Sequence, residues 1–256
     1  MEKTLNGKIA LVTGGSRNIG KLTALDLAAK GADVIITYRE RAKAANETVA
    51  EIEALGSRAA ALAVDFGDSA GVAGLADAVM KQVRDWGSQD LDILVNNAGT
   101  LRIGGFDQIT GDDLDAIYTT NFKSVVLLTQ ALAPHLAEGG RIVNLSSGLA
   151  NGAFPPLIAY GPLKAALQSM TLYWAQIFGA RRITVNAVAP GGLDDDFNAK
   201  LFDEIIPGAR DYISGNTALG RVGLPEDVSG VIAFLCEPKA SFVTGATIRI
   251  DGGFKL

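Results

Sequence analysis

The sequence predicts a single doubly wound α/β domain: a mostly parallel sheet of seven strands with helices on both faces. Three observations carry that prediction. Seven short apolar or β-branched runs alternate with segments of helical pattern, and such alternation implies right-handed crossovers between parallel strands. The first run passes straight into a glycine-rich turn, TGGSRNIG at 13–20. The third is size: 256 residues, 48% hydrophobic with 30 glycines, suit one large core with many tight turns, and an α/β domain of about 250 residues has no need to split. No composition shift, repeat or low-complexity tract marks a boundary.

The elements follow in order. KIALVT (8–13) is a buried-type strand, and KLTALDLAAK is a helix stopped at Gly31, a normal C′ glycine. DVIITY (33–38) is the second strand, and 42–55 a helix ending at Gly56. Strand three is expected at 57–65, a helix at 69–86 and strand four at 91–99. Residues 111–136 read as one long helical stretch before strand five at 141–145. A helix over about 158–179 precedes strand six and its loop at 182–192. Residues 194–219 read as irregular, Pro225 as helix position N1, and 246–253 as the last strand.

Composition excludes several classes. A net charge of −5 without basic clusters argues against nucleic acid or an anionic membrane as a partner. Cys236 is the only cysteine, so no intrachain disulfide forms, and its run VIAFLC suggests a buried helix position. No apolar run approaches the roughly 18 residues of a membrane span. MEKTLNGKIALVTGG is too short and too glycine-broken for a signal peptide, so a soluble, cytoplasmic protein is expected. The single histidine, His135, falls near the end of the long helix, at the end of the sheet away from the glycine turn. No His/Cys/acid set has metal-ligand spacing, and no catalytic metal is expected.

The glycine turn sits between strand one and helix one, where a dinucleotide pyrophosphate binds in such folds. Glycines let backbone approach the phosphates, and a helix N-terminus offers free N–H groups and the positive end of its dipole. Gly14, Ser16, Arg17, Asn18, Ile19 and Gly20 are the candidate residues. The spacing is T-G-x-x-x-G-x-G with Asn18 in place of the middle glycine. Asn tolerates left-handed backbone better than other non-glycine residues, so the turn survives. An NAD site carries an acid at the end of strand two for the ribose 2′-OH. Here the strand ends in Tyr38 and Arg39, with no acid until Glu40. Arg17 and Arg39 together suit a 2′-phosphate, so NADP is preferred over NAD.

A second constellation lies in RIVNLSSGLANGAFPPLIAYGPLK, 141–164. A strand ends in Ser146 and Ser147, and a loop leads to a helix whose first turns hold Tyr160 and Lys164 on one face, four residues apart. A phenol titrates near 10, and a neighbouring ammonium favours its phenolate. A serine hydroxyl nearby can hold a carbonyl oxygen while the tyrosine passes it a proton.

Taken together, the sequence resembles the short-chain dehydrogenase/reductase family, built on a Rossmann-type domain, from Lys8 to Gly253. The matching pieces are TGGSRNIG, Asp65 in VDFGD, NNAG (96–99), Asn121 in TTNF, LSS (145–147), YGPLK (160–164), NAVAPGG (186–192) and IDGG (250–253). The look is closest to 3-oxoacyl-[acyl-carrier-protein] reductases, through the VITYR-type strand and the RVG-PEDV-G segment, although many other reductases share it. The resemblance implies Tyr160 as general acid, Lys164 on the nicotinamide ribose and lowering the Tyr160 pKa, Ser147 rather than Ser146 on the carbonyl, and Asn121 holding a water behind Lys164. It places Asp65 at the adenine, Asn96, Ala98 and Gly99 along the adenosine ribose and the middle of the cofactor, and Pro190, Gly191 and Leu193 against the nicotinamide. The resemblance also implies that the two long helices, which carry Phe122, Val125 and Leu132 on one and Leu167, Met170 and Trp174 on the other, pair between subunits in a homotetramer.

Residues 193–218 are expected to form a lid, and Leu149, Phe154, Leu157, Phe197, Leu201, Phe202 and Ile206 an apolar pocket. That pocket fits an acyl chain, a steroid, an aromatic ketone or a quinone equally well. Three departures stand out. Asn18 replaces a glycine, Asp195 stands where many members carry Thr, and Pro162 and Leu163 lie between Tyr160 and Lys164. The expected activity is NADP(H)-dependent reduction of a ketone, or oxidation of a secondary alcohol, with a silent dinucleotide-binding regulator as the alternative.

Overall fold

The computed structural model describes residues 3–199 and 201–256; Lys200, within the expected lid, lies outside the described residues. Seven strands form one sheet in the order β3-β2-β1-β4-β5-β6-β7. They are β1 Ile9–Val12, β2 Asp33–Tyr38, β3 Ala59–Ala63, β4 Leu91–Asn96, β5 Leu136–Leu145, β6 Thr184–Pro190 and β7 Thr247–Ile250. Every pairing is parallel. The order reverses at β1, so the carboxyl ends of β1 and β4 open a crevice at a topological switch point.

Strand side chains alternate between two cores. Ala10 and Val12 of β1, with Val34 and Ile36 of β2, pack under α1 (Asn18–Ala29), α2 (Ala42–Ala54) and α8 (Pro225–Cys236). Ile9, Leu11, Ile35 and Leu94 face the other way, against α3 (Ser69–Asp85), α5 (Ser124–Leu132) and α6 (Tyr160–Phe178). Among the described residues, no helix is long and apolar enough to cross a membrane.

The structure differs from expectation in three places that bear on the site. The stretch 111–136 is not one helix. It is α4 (Gly111–Tyr118), a π turn over Thr119–Lys123 and then α5. Asn121 sits at the centre of that turn, and its amide donates to Ile117 O at 3.1 Å and Thr100 O at 3.0 Å, so the helix widens where this side chain inserts. Helix α1 begins at Asn18, inside the glycine turn, with Asn18 itself at φ 49°. The segment expected to form a lid is not irregular: a π turn at Leu201–Ile205 and α7 (Ala209–Gly215) lie in it. A third apolar cluster forms beneath them from Ile117, Leu157, Tyr160, Leu201, Phe202 and Ala209.

Candidate active site

The glycine turn is fixed from three sides. Thr13 Oγ1 accepts from the N–H groups of Asn97 and Ala98, each at 2.9 Å. Asn97 Nδ2 donates back to Thr13 O at 2.7 Å, and Thr37 Oγ1 accepts from Gly14 N at 3.0 Å. Gly14 adopts φ +68°, and a Cβ there would lie 3.1 Å from Asn97 Nδ2. At Gly20 a Cβ would fall 2.2 Å from Gly14 O, so only glycine lets the helix enter this close to the strand end. Arg17, the N-cap of α1, makes no side-chain cap. The first N–H groups of α1 therefore face the crevice without a capping partner, the arrangement that binds phosphate. Thr13 and Asn97 lie inside the motifs TGGSRNIG and NNAG but were given no role there, and Thr37, within the second strand, was not singled out at all.

One cleft of about 1210 Å³ runs from this turn to the segment after β6. Gly14, Ser16, Arg17, Asn18, Ile19, Gly20, Arg39, Asp65, Ala98, Gly99, Ser147, Tyr160, Lys164, Pro190, Gly191 and Leu193 all line it, and so does Arg41. Two expected residues do not. Asn96 alternates to the opposite face of β4, where its amide donates to Asn144 Oδ1 at 2.9 Å and Thr129 Oγ1 at 3.1 Å; its neighbour Asn97 holds the lining position. Asn121 is fully buried behind the wall. A Cβ on Gly99 would lie 2.8 Å from Asn121 Oδ1 and 3.7 Å from Lys164 Nζ, so these three groups meet behind and within the cleft wall. Asp65 reaches the cleft while also making a turn, its Oδ1 accepting from Gly67 N at 2.8 Å.

The two serines are distinct in the structure. Ser146 Oγ donates to Lys164 O and accepts from Gln168 Nε2, both at 3.0 Å, and so ties β5 to α6. Ser147 Oγ accepts from Leu149 N at 3.2 Å and also contacts the Tyr160 phenol. Tyr160 opens α6 and is 8% exposed. Lys164 lies one turn on, with Nζ 5.5 Å from the Tyr160 ring centroid and donating to Leu145 O at 2.7 Å.

Burial governs both titrations. Lys164 falls from its ordinary 10.5 to about 8 because its charge is removed from water. The Tyr160 phenol is pushed up from 10, first by burial and then by the Asp195 carboxylate, against the pull of the Ser147 hydrogen bond. The expected lowering by Lys164 is not what this geometry gives. An ammonium with a weakened hold on its own proton sits beside a phenol that burial keeps neutral. The phenol therefore carries its proton at neutral pH and holds it more tightly than a free phenol does.

In the segment after β6, Asp195 accepts from Asn198 N at 2.9 Å and Asn198 Nδ2 at 3.0 Å, closing a turn rather than standing free as a carboxylate. Arg210 bridges Asp194 and Asp203. Leu149, Phe154, Leu157, Phe197, Leu201, Phe202 and Ile206 all line the cleft. Among the described residues no group of His, Cys, Asp and Glu has metal-binding proximity. His135, in a short turn before β5, is not among the lining residues.

Several known proteins are similar to this chain. A family model described as enoyl-(acyl carrier protein) reductase matches residues 14–255. The hydroxynaphthalene reductase-like protein Arp2 of Metarhizium brunneum is 37% identical over 261 aligned positions, which cover 98% of this chain and 96% of its own. Among solved structures, a short-chain dehydrogenase from Burkholderia cenocepacia in complex with NADP is 43% identical, with a TM-score of 0.90 and 98% of each chain covered. The angucycline C-6 ketoreductase LanV with bound NADP is 37% identical, with a TM-score of 0.93, and the match covers 100% of this chain and 98% of its own. With a family match across nearly its whole length and relatives this similar, the chain belongs to the short-chain dehydrogenase/reductase family.

Proposed function

We propose that the protein is an NADP(H)-dependent reductase of a ketone carried on an aromatic ring system, able to run the reverse oxidation of the secondary alcohol. The observation that carries this reading is the Tyr160 phenol. It is buried, in contact with Ser147 and beside Lys164, in the same cleft as a glycine turn and a set of apolar walls.

The residues present fit NADP(H) on two grounds. The α1 N-terminus lacks a side-chain cap and lies under a backbone that only glycine allows at Gly20. Arg17, Arg39 and Arg41 gather where β2 ends, the position at which a 2′-phosphate needs cations. When bound, NADPH supplies the hydride that adds to the carbonyl carbon. Ser147 donates a hydrogen bond to the carbonyl oxygen, and Tyr160 transfers its phenolic proton to that oxygen as charge builds there. With NADP(H) bound, Lys164 would hold the nicotinamide ribose hydroxyls. Asn121, whose amide is committed to Thr100 and Ile117, is a positioning residue that fixes the Gly99–Thr100 wall. Pro190, Gly191 and Leu193, which line the cleft, would lie against the nicotinamide.

An aromatic ketone, like an acyl chain, fits the apolar walls that Leu149, Phe154, Leu157 and Phe202 provide. The aromatic ketone is favoured by the named substrates of the similar proteins, a hydroxynaphthalene and an angucycline. The test is NADPH consumption with hydroxylated naphthalenones and with 3-oxoacyl thioesters, on the native enzyme and on Tyr160→Phe. Turnover of the naphthalenones is expected, and Tyr160→Phe is expected to lose on the order of 10²–10⁴ in rate while still binding NADPH. Faster turnover of the thioesters would reassign the substrate. Tight NADPH binding without turnover of any carbonyl would favour the silent regulator.

We also propose a homotetramer. Helix α6 exposes Leu172, Tyr173 and Ile177, and α4 exposes Leu114 and Tyr118. Of the six residues first expected at this contact, Val125, Leu132, Leu167 and Trp174 are buried in the second core, and Phe122 and Met170 are partly buried against it.

A further inference from the structure

We propose that Asp196 discriminates between phosphorylated and unphosphorylated nucleotide cofactors, as an internal carboxylate held at the arginines that take the 2′-phosphate. The proposal rests on the NADP(H) reading above. Asp196 Oδ2 lies 3.6 Å from Arg17 Nη1 and 3.4 Å from Arg41 Nη1. Arg17 belongs to the glycine turn, Arg41 follows β2, and Asp196 belongs to the lid segment after β6. One carboxylate therefore links three segments that are remote in sequence, and all three residues line the cleft. Arg39 is paired separately, with Glu40 at 3.0 Å.

Each of the three cations at this end of the cleft thus has a carboxylate partner, and two of them share the same one. A phosphate with two negative charges and three acceptor oxygens is the stronger ligand for guanidinium groups. Arg17 and Arg41 exchange Asp196 for the 2′-phosphate, and the segment carrying Asp196 loses its tie to the body of the domain. With a cofactor that bears a 2′-hydroxyl, no such exchange is required, and Asp196 keeps its place. The lid itself is held differently, by Arg210 between Asp194 and Asp203 and by the Asp195–Asn198 turn. The Asp196 link can therefore be removed without dismantling it. Asp196 is 60% exposed at its side chain, so both pairs are weak and readily exchanged.

The experiment uses fragments that carry the adenosine end alone: 2′,5′-ADP, which has the 2′-phosphate, and 5′-AMP, which lacks it. Both are titrated calorimetrically at fixed ionic strength into the full-length protein and into Asp196→Asn. The variant is expected to bind 2′,5′-ADP about three- to tenfold more tightly, the range set by two exposed ion pairs, with 5′-AMP unchanged. Amide hydrogen exchange over 194–199 is expected to rise in the native protein with 2′,5′-ADP and to stay constant with 5′-AMP. Equal tightening of both fragments would reduce Asp196 to a general repulsive charge and overturn the proposal. Weakening of either fragment, or no change in both, would overturn it as well. If the native protein bound the two fragments equally, the NADP(H) reading itself would fall first, and the exchange with it.

Discussion

Lys164 carries the most consequential charge in the cleft, because it is buried without a carboxylate partner and titrates near 8. The unfolded chain holds that proton up to about 10.4. Between about pH 8 and 10 the unfolded state therefore binds more protons than the folded one, and stability rises with pH. Tyr160, whose pKa is raised, acts in the opposite sense above its unfolded value near 10, which closes the window there. Urea unfolding of the protein and of Lys164→Met, from pH 7.5 to 10, should show the native protein gaining on the variant by about 2–3 kcal/mol as pH rises. Parallel stability curves would show that burial does not set this lysine's proton affinity. The spacing of Tyr160 and Lys164 was legible in the sequence and so was their shared face. The direction of the tyrosine's shift was not, because a motif records which groups meet and says nothing of how much water they lose.

Among the elements, β4, β5 and α6 are tied by one chain of side-chain bonds. Asn96 donates to Asn144, Asn144 Nδ2 donates to Thr171 Oγ1 at 2.9 Å, and Thr171 donates to Leu167 O at 2.8 Å. All four residues are buried. Asn144→Ala would leave Asn96 and Thr171 each short of a partner in a site that water does not reach. A loss of about 2–3 kcal/mol is expected in chemical denaturation, the cost of stranding buried polar groups. A loss below about 1 kcal/mol would mean that the chain of bonds relaxes around the gap. Here the sequence misled in an instructive way. NNAG marks the wall of the cleft, but strand alternation turns Asn96 into the core and gives the lining position to Asn97. The break of 111–136 into two helices was similarly hidden. Apolar periodicity continues through the π turn, and only the insertion of the Asn121 amide toward Thr100 and Ile117 reveals it.

Across the whole molecule, both faces of the sheet are covered by helices, yet α6 has two faces with different fates. Leu167, Thr171, Trp174 and Phe178 pack inward, while Leu172, Tyr173 and Ile177 are 57–67% exposed. The strand–helix alternation made the sheet and its helical layers legible from the sequence, but not which apolar residues of a helix surrounded by others would face outward. A chain with a net charge of −5 gains solubility from its polar surface, and apolar side chains left in water on one helix are more economically buried against a second copy. The prediction is a native mass of four times 26.6 kDa by light scattering. Tyr173→Asp combined with Ile177→Asp places four like charges across a two-fold contact and should give smaller species, with unchanged far-ultraviolet circular dichroism and retained NADPH binding. A native mass of one chain would refute the tetramer. An intact tetramer in the double variant would move the contact away from α6.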